Sequence, residues 1–464
     1  MTAMLKSKSG GKGAFSGWKG RAWLLAGIVL FVGAVQFVYL KWLYTIFGYF
    51  GFEYDTAPLP YLTLAWVLSV LPGFWMPIRL TRPSQLIYWV MYTTVYVPSM
   101  FIPLYMRSNR LDEIFLLMMT VFAGLVLLGL GYLFPLKKFA PVILSRSGFW
   151  TGVTALAIAL SLWVLVFFRG NLHIVSFSQV YDLRFANSEM VVAKGSSVNY
   201  ALTWLSGALG PFLLAIGLVR KKRTIVLSGA LLQVLVYSAS AAKSAALSLV
   251  VIPFFYWVMK KGGENFGLKF GWANTALLIG LCLLGIIPEN PLINIALALV
   301  FLRIYGNSGL MTGQYYYFFQ NNPLTYYSHV KGVNWFVHYP YSSTVAQQIG
   351  FYYTGDPTYD PNAHFWATDG IAALGLPGIL LISAFAALVF WLLDSVAIRH
   401  ELRFTVPLIS FAALNIANLS IFTSLLTGGL SILMLFLYVM PLEEDVGGSR
   451  KPLVSAIAPS PPAS

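Results

Sequence analysis

Between about residues 290 and 370 the chain gathers the side chains best suited to chemistry. Arg303, His329, Lys331, His338, His364 and Asp369 stand among Tyr315, Tyr316, Tyr317, Tyr326, Tyr327, Trp335, Tyr339, Tyr352, Tyr353 and Trp366. Histidine exchanges protons near neutral pH, arginine and lysine hold anions, and flat rings lie on sugars or in a membrane interface. The set suits an anionic, sugar-bearing lipid at a membrane surface. His329 leads as a base, because Ser328-His329-Val330-Lys331-Gly332 puts it two residues from a cation that would hold it neutral and basic. Asp369 is the second choice, and it also suits the N-cap of a helix expected from Gly370 and Ile371. Arg303 can aim a bidentate fork at a phosphate or anchor ordinary lipid headgroups. His338 and His364 are weaker candidates, since a lone histidine is commonly a structural hydrogen-bonding residue. Three histidines and several carboxylates share this stretch without a His-x-His or His-x-x-x-His spacing, so no metal site is predicted.

Two further places carry charge where an apolar chain would not. Arg169 to Asn199 holds Arg169, His173, Asp182, Arg184, Glu189 and Lys194, with Arg184 free to take an anion or to pair with Asp182 or Glu189. Lys243 lies in the apolar run from Thr224 to Met259, which is too long for one membrane crossing. A tight turn over Ser238 to Ser244 would divide that run into two spans and set Lys243 beneath the two large loops. A lysine in such a run costs a few kcal/mol unless it is paired or hydrated, which marks it as a functional candidate beside the plainer role of snorkelling to headgroups.

The elements that position these residues follow from composition. With 58 % hydrophobic and 10 % charged residues, the chain has repeated apolar runs of membrane-spanning length and reads as an all-α, polytopic membrane protein. Spans are expected at about 23–40, 60–78, 84–105, 113–134, 149–168, 199–219, 224–240, 244–259, 272–288, 371–396, 405–422 and 428–441, about twelve in all. Pro291 to Leu302 is too short to cross comfortably and would lie along the interface or re-enter. Residues 1–22 form a basic, disordered cytoplasmic tail, 23–442 a single transmembrane domain, and 443–464 a disordered cytoplasmic tail. The run from Trp23 to Leu40 is an uncleaved anchor. Roughly 21 of the 30 lysines and arginines fall on the side of the N-terminus, so both termini are expected in the cytoplasm and the loops 169–199 and 290–370 on the opposite face. The net charge of +14 is thus a topology signal spread through short clusters, and nucleic acid is excluded as a partner. The single cysteine, Cys282, sits in an apolar run and leaves no disulfide framework to consider.

Several of these stretches resemble the bacterial O-antigen and exopolysaccharide polymerases of the Wzy type. They are Ser240-x-x-Lys243-Ser244, the Arg184 loop, the outer segment from Arg303 through Asn322-Pro323-Leu324 and Ser328-His329, and Asn362-x-His364-x-Trp366-Ala367-x-Asp369-Gly370 followed by Gly375-x-x-Gly378. The resemblance implies the GT-C-type architecture shared with O-antigen ligases, in the inner membrane, with a periplasmic active site and no cofactor. The implied substrate is an undecaprenyl-diphosphate-linked oligosaccharide, passed from one lipid diphosphate to a hydroxyl of an incoming unit, with a chain-length regulator and a flippase as partners. Arg184, Arg303 and Lys243 would then stabilise the departing diphosphate, Lys331 and Arg169 would guide the anionic substrate, and His338 and His364 would assist binding. An O-antigen ligase would look nearly identical. A lipid-oligosaccharide flippase would carry polar residues inside its spans and an internal repeat, neither of which stands out here.

Overall fold

The computed structural model describes residues 17–106, 110–140, 144–173, 197–260, 263, 265–286, 290–357 and 359–441. Every regular element among them is a helix. Ten are long and apolar enough to cross a membrane: α1 (Trp18–Phe50), α3 (Gln85–Met106), α4 (Leu111–Leu133), α5 (Arg146–Phe167), α6 (Val198–Val219), α7 (Arg223–Ser240), α8 (Lys243–Lys260), α9 (Phe266–Ile286), α10 (Leu292–Phe319) and α12 (Leu376–Ala397). Shorter apolar helices are α2 (Leu59–Phe74), α13 (Leu402–Ile416) and α15 (Leu430–Val439). Two small helices, α11 (Val345–Thr354) and α14 (Ile421–Leu426), complete the set used below. The chain is a polytopic, all-α membrane protein.

Helix α3 is the post around which the others stand: 94 % of its apolar window is buried, against 22 % for α5. Polar groups inside such a bundle have no water to turn to and must find partners among neighbouring helices. Tyr92 and Tyr96 of α3 donate to the Ser69 and Leu68 carbonyls of α2, each at 2.7 Å. Thr275 of α9 donates to the Gly27 carbonyl of α1 at 3.0 Å. At one end of the bundle Arg21 bonds the Gly73 and Met76 carbonyls at 3.0 and 2.7 Å, and Gly267 N–H bonds the Ile78 carbonyl, so the starts of α1, α3 and α9 lie together near Arg79 and Arg82. At the other end Asp55 N–H meets the Tyr105 carbonyl at 2.9 Å.

The expected tight turn between α7 and α8 is present, with Ala241 in the left-handed region at φ 49°. The stretch from residue 290, expected as an outer loop whose opening Pro291 to Leu302 lies along the interface or re-enters, is helical through Phe319. Its glycines and tyrosines dilute the apolar signal, yet they suit close packing. A Cβ on Gly309 would come within 2.6 Å of the Pro98 carbonyl, and one on Gly313 within 2.7 Å of the Met106 sulfur, so this Gly-x-x-x-Gly stripe lets α10 lie directly on α3. Both ends of α10 meet elements of the end opposite Arg79 and Arg82. Asn294 accepts from the Trp42 indole at 3.3 Å, and Gln320 donates to Glu113 at the start of α4 at 2.9 Å.

From residue 320 to 375 the chain is mostly irregular and closes with a wide helical turn, Trp366–Ile371. The span expected from 371 starts at Leu376, after Gly375 breaks the helix at φ 66°. Gly378 then packs so closely that a Cβ would lie 2.1 Å from the Gly370 carbonyl. Gly378→Ala is therefore expected to force the wide turn away from α12 and to cost about 1–3 kcal/mol, read as a lower melting temperature of the purified protein. An unchanged melting curve would show that the turn and α12 separate freely.

Candidate functional site

The wide turn Trp366–Ile371 delivers Asp369 into the protein interior, where its side chain is 0 % exposed. One carboxylate oxygen, Oδ2, accepts from Ile421 N–H at 2.7 Å, at the start of α14. The other, Oδ1, faces His329 Nε2 at 3.4 Å. The N-cap expected of Asp369 is thus replaced by a cap on a different helix, 52 residues away, because the turn carries the side chain outward from its own helix rather than back along it. Ser420 caps the same helix with its hydroxyl, accepting from Phe422 and Thr423 N–H at 3.2 and 3.3 Å.

His329 is held from the opposite side by Thr325, whose hydroxyl lies 2.8 Å from Nδ1 and 3.0 Å from the Ala372 carbonyl. Thr325 N–H and Tyr326 N–H bond the Ala372 and Ala373 carbonyls at 2.8 and 3.0 Å, tying the outer segment to the residues just past the wide turn. Between these ties and His329 the backbone passes through two left-handed residues that are not glycine, Tyr326 at φ 47° and Tyr327 at φ 64°. Each such conformation costs on the order of 1 kcal/mol or more and persists where its surroundings impose it. Here it swings the His329 ring over Asp369. Asp369 Oδ2 is occupied by Ile421 N–H, so Oδ1 is the oxygen left for Nε2, while the Thr325 hydroxyl, which donates to the Ala372 carbonyl, stands against Nδ1.

His329 faces a cavity of about 1040 Å³. Tyr200 and Trp204 of α6 form one wall, and Leu419, Ser420, Phe422 and Thr423 another. The remainder is the outer segment, including Lys331, Asn334, Tyr339, Asp360, Asn362 and Thr368, with Tyr315 of α10 below. Lys331 sets its ammonium 6.0 Å from the Tyr200 ring centroid. Burial raises the Asp360 carboxyl above the usual aspartate range. Asp369 does not line the cavity; it stands behind His329, whose side chain is 11 % exposed.

The predicted site residues divide accordingly. His329 and Lys331 line the cavity and Asp369 supports it. Lys243 opens α8, which packs along α13, the helix that leads into Leu419 and Ser420. Arg169 is exposed beyond the end of α5, and His338 is exposed on the outer segment away from the lining. Arg303 is exposed in a wide turn of α10, Leu302–Gly306, within electrostatic reach of Tyr359 and outside the cavity. His364 is wholly buried, its Nε2 against the Thr312 hydroxyl at 2.9 Å and the Ser308 carbonyl at 3.1 Å, so it packs the outer segment onto α10 and cannot meet a ligand there. Arg184 lies outside the described residues. The residues that sequence reasoning passed over are Thr325, Asp360 and Thr368, and Tyr315 stood out only as one of many aromatics. No protein-family model, curated protein or solved structure matches this chain.

Two stability predictions follow from this geometry. Asp369→Ala strands the Ile421 N–H without its acceptor and should cost about 1–3 kcal/mol, whereas Asp369→Asn keeps an oxygen for it; equal melting temperatures for the two variants would remove the cap from the account. Burial lowers His364 from 6.5 to about 4, with the Ser308 carbonyl opposing the shift. The unfolded chain therefore binds a proton that the folded chain refuses, and stability present above about pH 6.5 is lost as the pH falls toward 4. Over that window the melting temperature of His364→Gln should fall less than that of the unaltered protein, and parallel slopes would count against a neutral His364.

Proposed function

We propose that this protein is a glycan polymerase that joins oligosaccharide units carried on undecaprenyl diphosphate. The observation that carries the reading is the cavity at the end of the bundle opposite Arg79 and Arg82, with a histidine backed by a buried carboxylate on one wall and aromatic rings and a lysine around its mouth. In this reading α10 dips into the membrane and returns, because both its ends meet the same end of the bundle, and the other apolar helices make twelve crossings. Twelve crossings put both termini on the side of the basic clusters, in the cytoplasm of a bacterial cell, and the cavity at the periplasmic face. The architecture would then be of the GT-C type.

The reaction needs an anion site for the departing diphosphate and an acceptor for the proton of the attacking hydroxyl. Lys331, beside Tyr200, offers the first from the cavity mouth. His329 offers the second through Nδ1, where the attacking hydroxyl would take the place of Thr325; the ring then becomes a cation, and Asp369 stabilises that cation from behind. Asp369 is a positioning residue in this scheme, and Thr325 fixes the ring from its other edge. Arg303 serves as an interfacial anchor.

The test is reconstitution of the purified protein in lipid with undecaprenyl-diphosphate-linked repeat units from its host. A product ladder spaced by one unit is expected, with His329→Ala lowering turnover by roughly 10²-fold or more while substrate binding falls far less. Transfer of preformed glycan to a lipid A core without a ladder would make the protein a ligase, and no covalent product with either acceptor would overturn the reading.

A further inference from the structure

Tyr315 is 0 % exposed, lines the cavity, and its hydroxyl makes no hydrogen bond among the described residues. Its neighbours in the sequence behave otherwise: Tyr316 donates to the Glu113 carbonyl at 3.0 Å and Tyr317 to the Pro103 carbonyl at 2.8 Å. A buried phenol left without an acceptor is costly, and such a group at the floor of a cavity is satisfied when a ligand brings an oxygen to it. Thr368, on the same wall, acts on the phenol from outside hydrogen-bond geometry and turns its own hydroxyl to the Ala363 carbonyl at 3.3 Å.

The charges around Tyr315 decide what kind of oxygen that is. Asp360 and Asp369 both lie within electrostatic reach of the phenol, and Lys331, the one cation lining the cavity among the described residues, sits instead by the Tyr200 ring. A phosphate drawn toward two carboxylates is repelled, whereas a sugar hydroxyl accepts from the phenol and donates to Asp360. We infer that the cavity floor formed by Tyr315, Asp360 and Thr368 is a subsite for a neutral sugar ring, separate from the diphosphate contact at Lys331. This rests on the polymerase reading and extends it by dividing the site into a sugar floor and a phosphate mouth.

Two probes separate these parts: undecaprenyl diphosphate without sugar, and undecaprenyl-diphosphate-linked oligosaccharide extracted from the host, each titrated into the full chain in nanodiscs. Tyr315→Phe should bind the oligosaccharide probe about 3- to 10-fold more weakly and the sugar-free probe as the unaltered protein does, at an equal or higher melting temperature. Lys331→Ala should weaken both probes alike. Equal losses for both probes in Tyr315→Phe, or no loss for either, overturn the sugar floor while leaving the polymerase reading in place. Should Tyr315→Phe fold poorly, Asp360→Asn, at an exposed position, is held to the same two outcomes. Binding of neither probe by the unaltered protein overturns the polymerase reading and the subsite with it.

Discussion

Asp369 is the joint on which the outer half of the protein depends. Its two oxygens reach His329 on the outer segment, 40 residues before it, and Ile421 at the start of α14, 52 residues after it. A carboxylate taken out of water costs several kcal/mol unless hydrogen bonds and charge answer it. Here the first N–H of a short helix, which has no partner within that helix, supplies one answer and the histidine the other. With Ser420 serving the next two N–H groups, the start of α14 is fully capped, and the wall it gives to the cavity is fixed to the same residue that fixes His329. Removing the carboxylate therefore disturbs two walls at once, which no single hydrogen bond elsewhere in the site would do.

That joint forms only because the backbone departs from ideal geometry in chosen places. Tyr326 and Tyr327 adopt left-handed conformations just before His329, and among the described residues five wide helical turns interrupt the helices, at Tyr39–Leu43, Tyr92–Tyr96, Leu205–Leu209, Leu302–Gly306 and Trp366–Ile371. A wide turn inserts an extra residue into the helical repeat, so the side chains on either side of it face different directions. In Trp366–Ile371 the effect is to bury Asp369 toward α14 while Trp366 on the same turn bonds Ser383 of α12 at 2.8 Å. The close approach of Gly370 and Gly378 holds that turn against α12, which gives the spacing between these glycines a physical reason.

Most of the bundle was legible because apolar length alone decides membrane spans, and the α7–α8 turn could be placed from its run of small residues around Lys243. Helix α10 was harder. Three consecutive tyrosines and two glycines make Asn307–Phe319 read as polar, although Gly309 and Gly313 spell a packing stripe that the sequence did display. His329 was legible by residue type and by its neighbouring lysine. His364 is the same residue type and a packing residue, a difference set by its burial against Ser308 and Thr312. Tyr315 was hidden for a related reason: among Tyr315, Tyr316 and Tyr317 only the rotation of the helix determines which hydroxyl is spent on a carbonyl and which is left facing the cavity.

The distribution of charge also gives the proposed reaction a direction. Lys331 stands at the cavity mouth, whereas Asp360 and Asp369 lie near the phenol at the floor. An anionic leaving group is favoured at the first and disfavoured at the second, so in the proposed reaction the donor's diphosphate would depart toward the mouth and the attacking hydroxyl would approach from the sugar side. His329 is two residues from Lys331 and in contact with Asp369, so it belongs to both halves. The proton it would gain from the hydroxyl would create a positive charge facing a carboxylate whose other oxygen is pinned by Ile421, so little reorganisation would accompany the transfer. One buried carboxylate thus both builds the wall and prepares the site for the charge that the reaction would create.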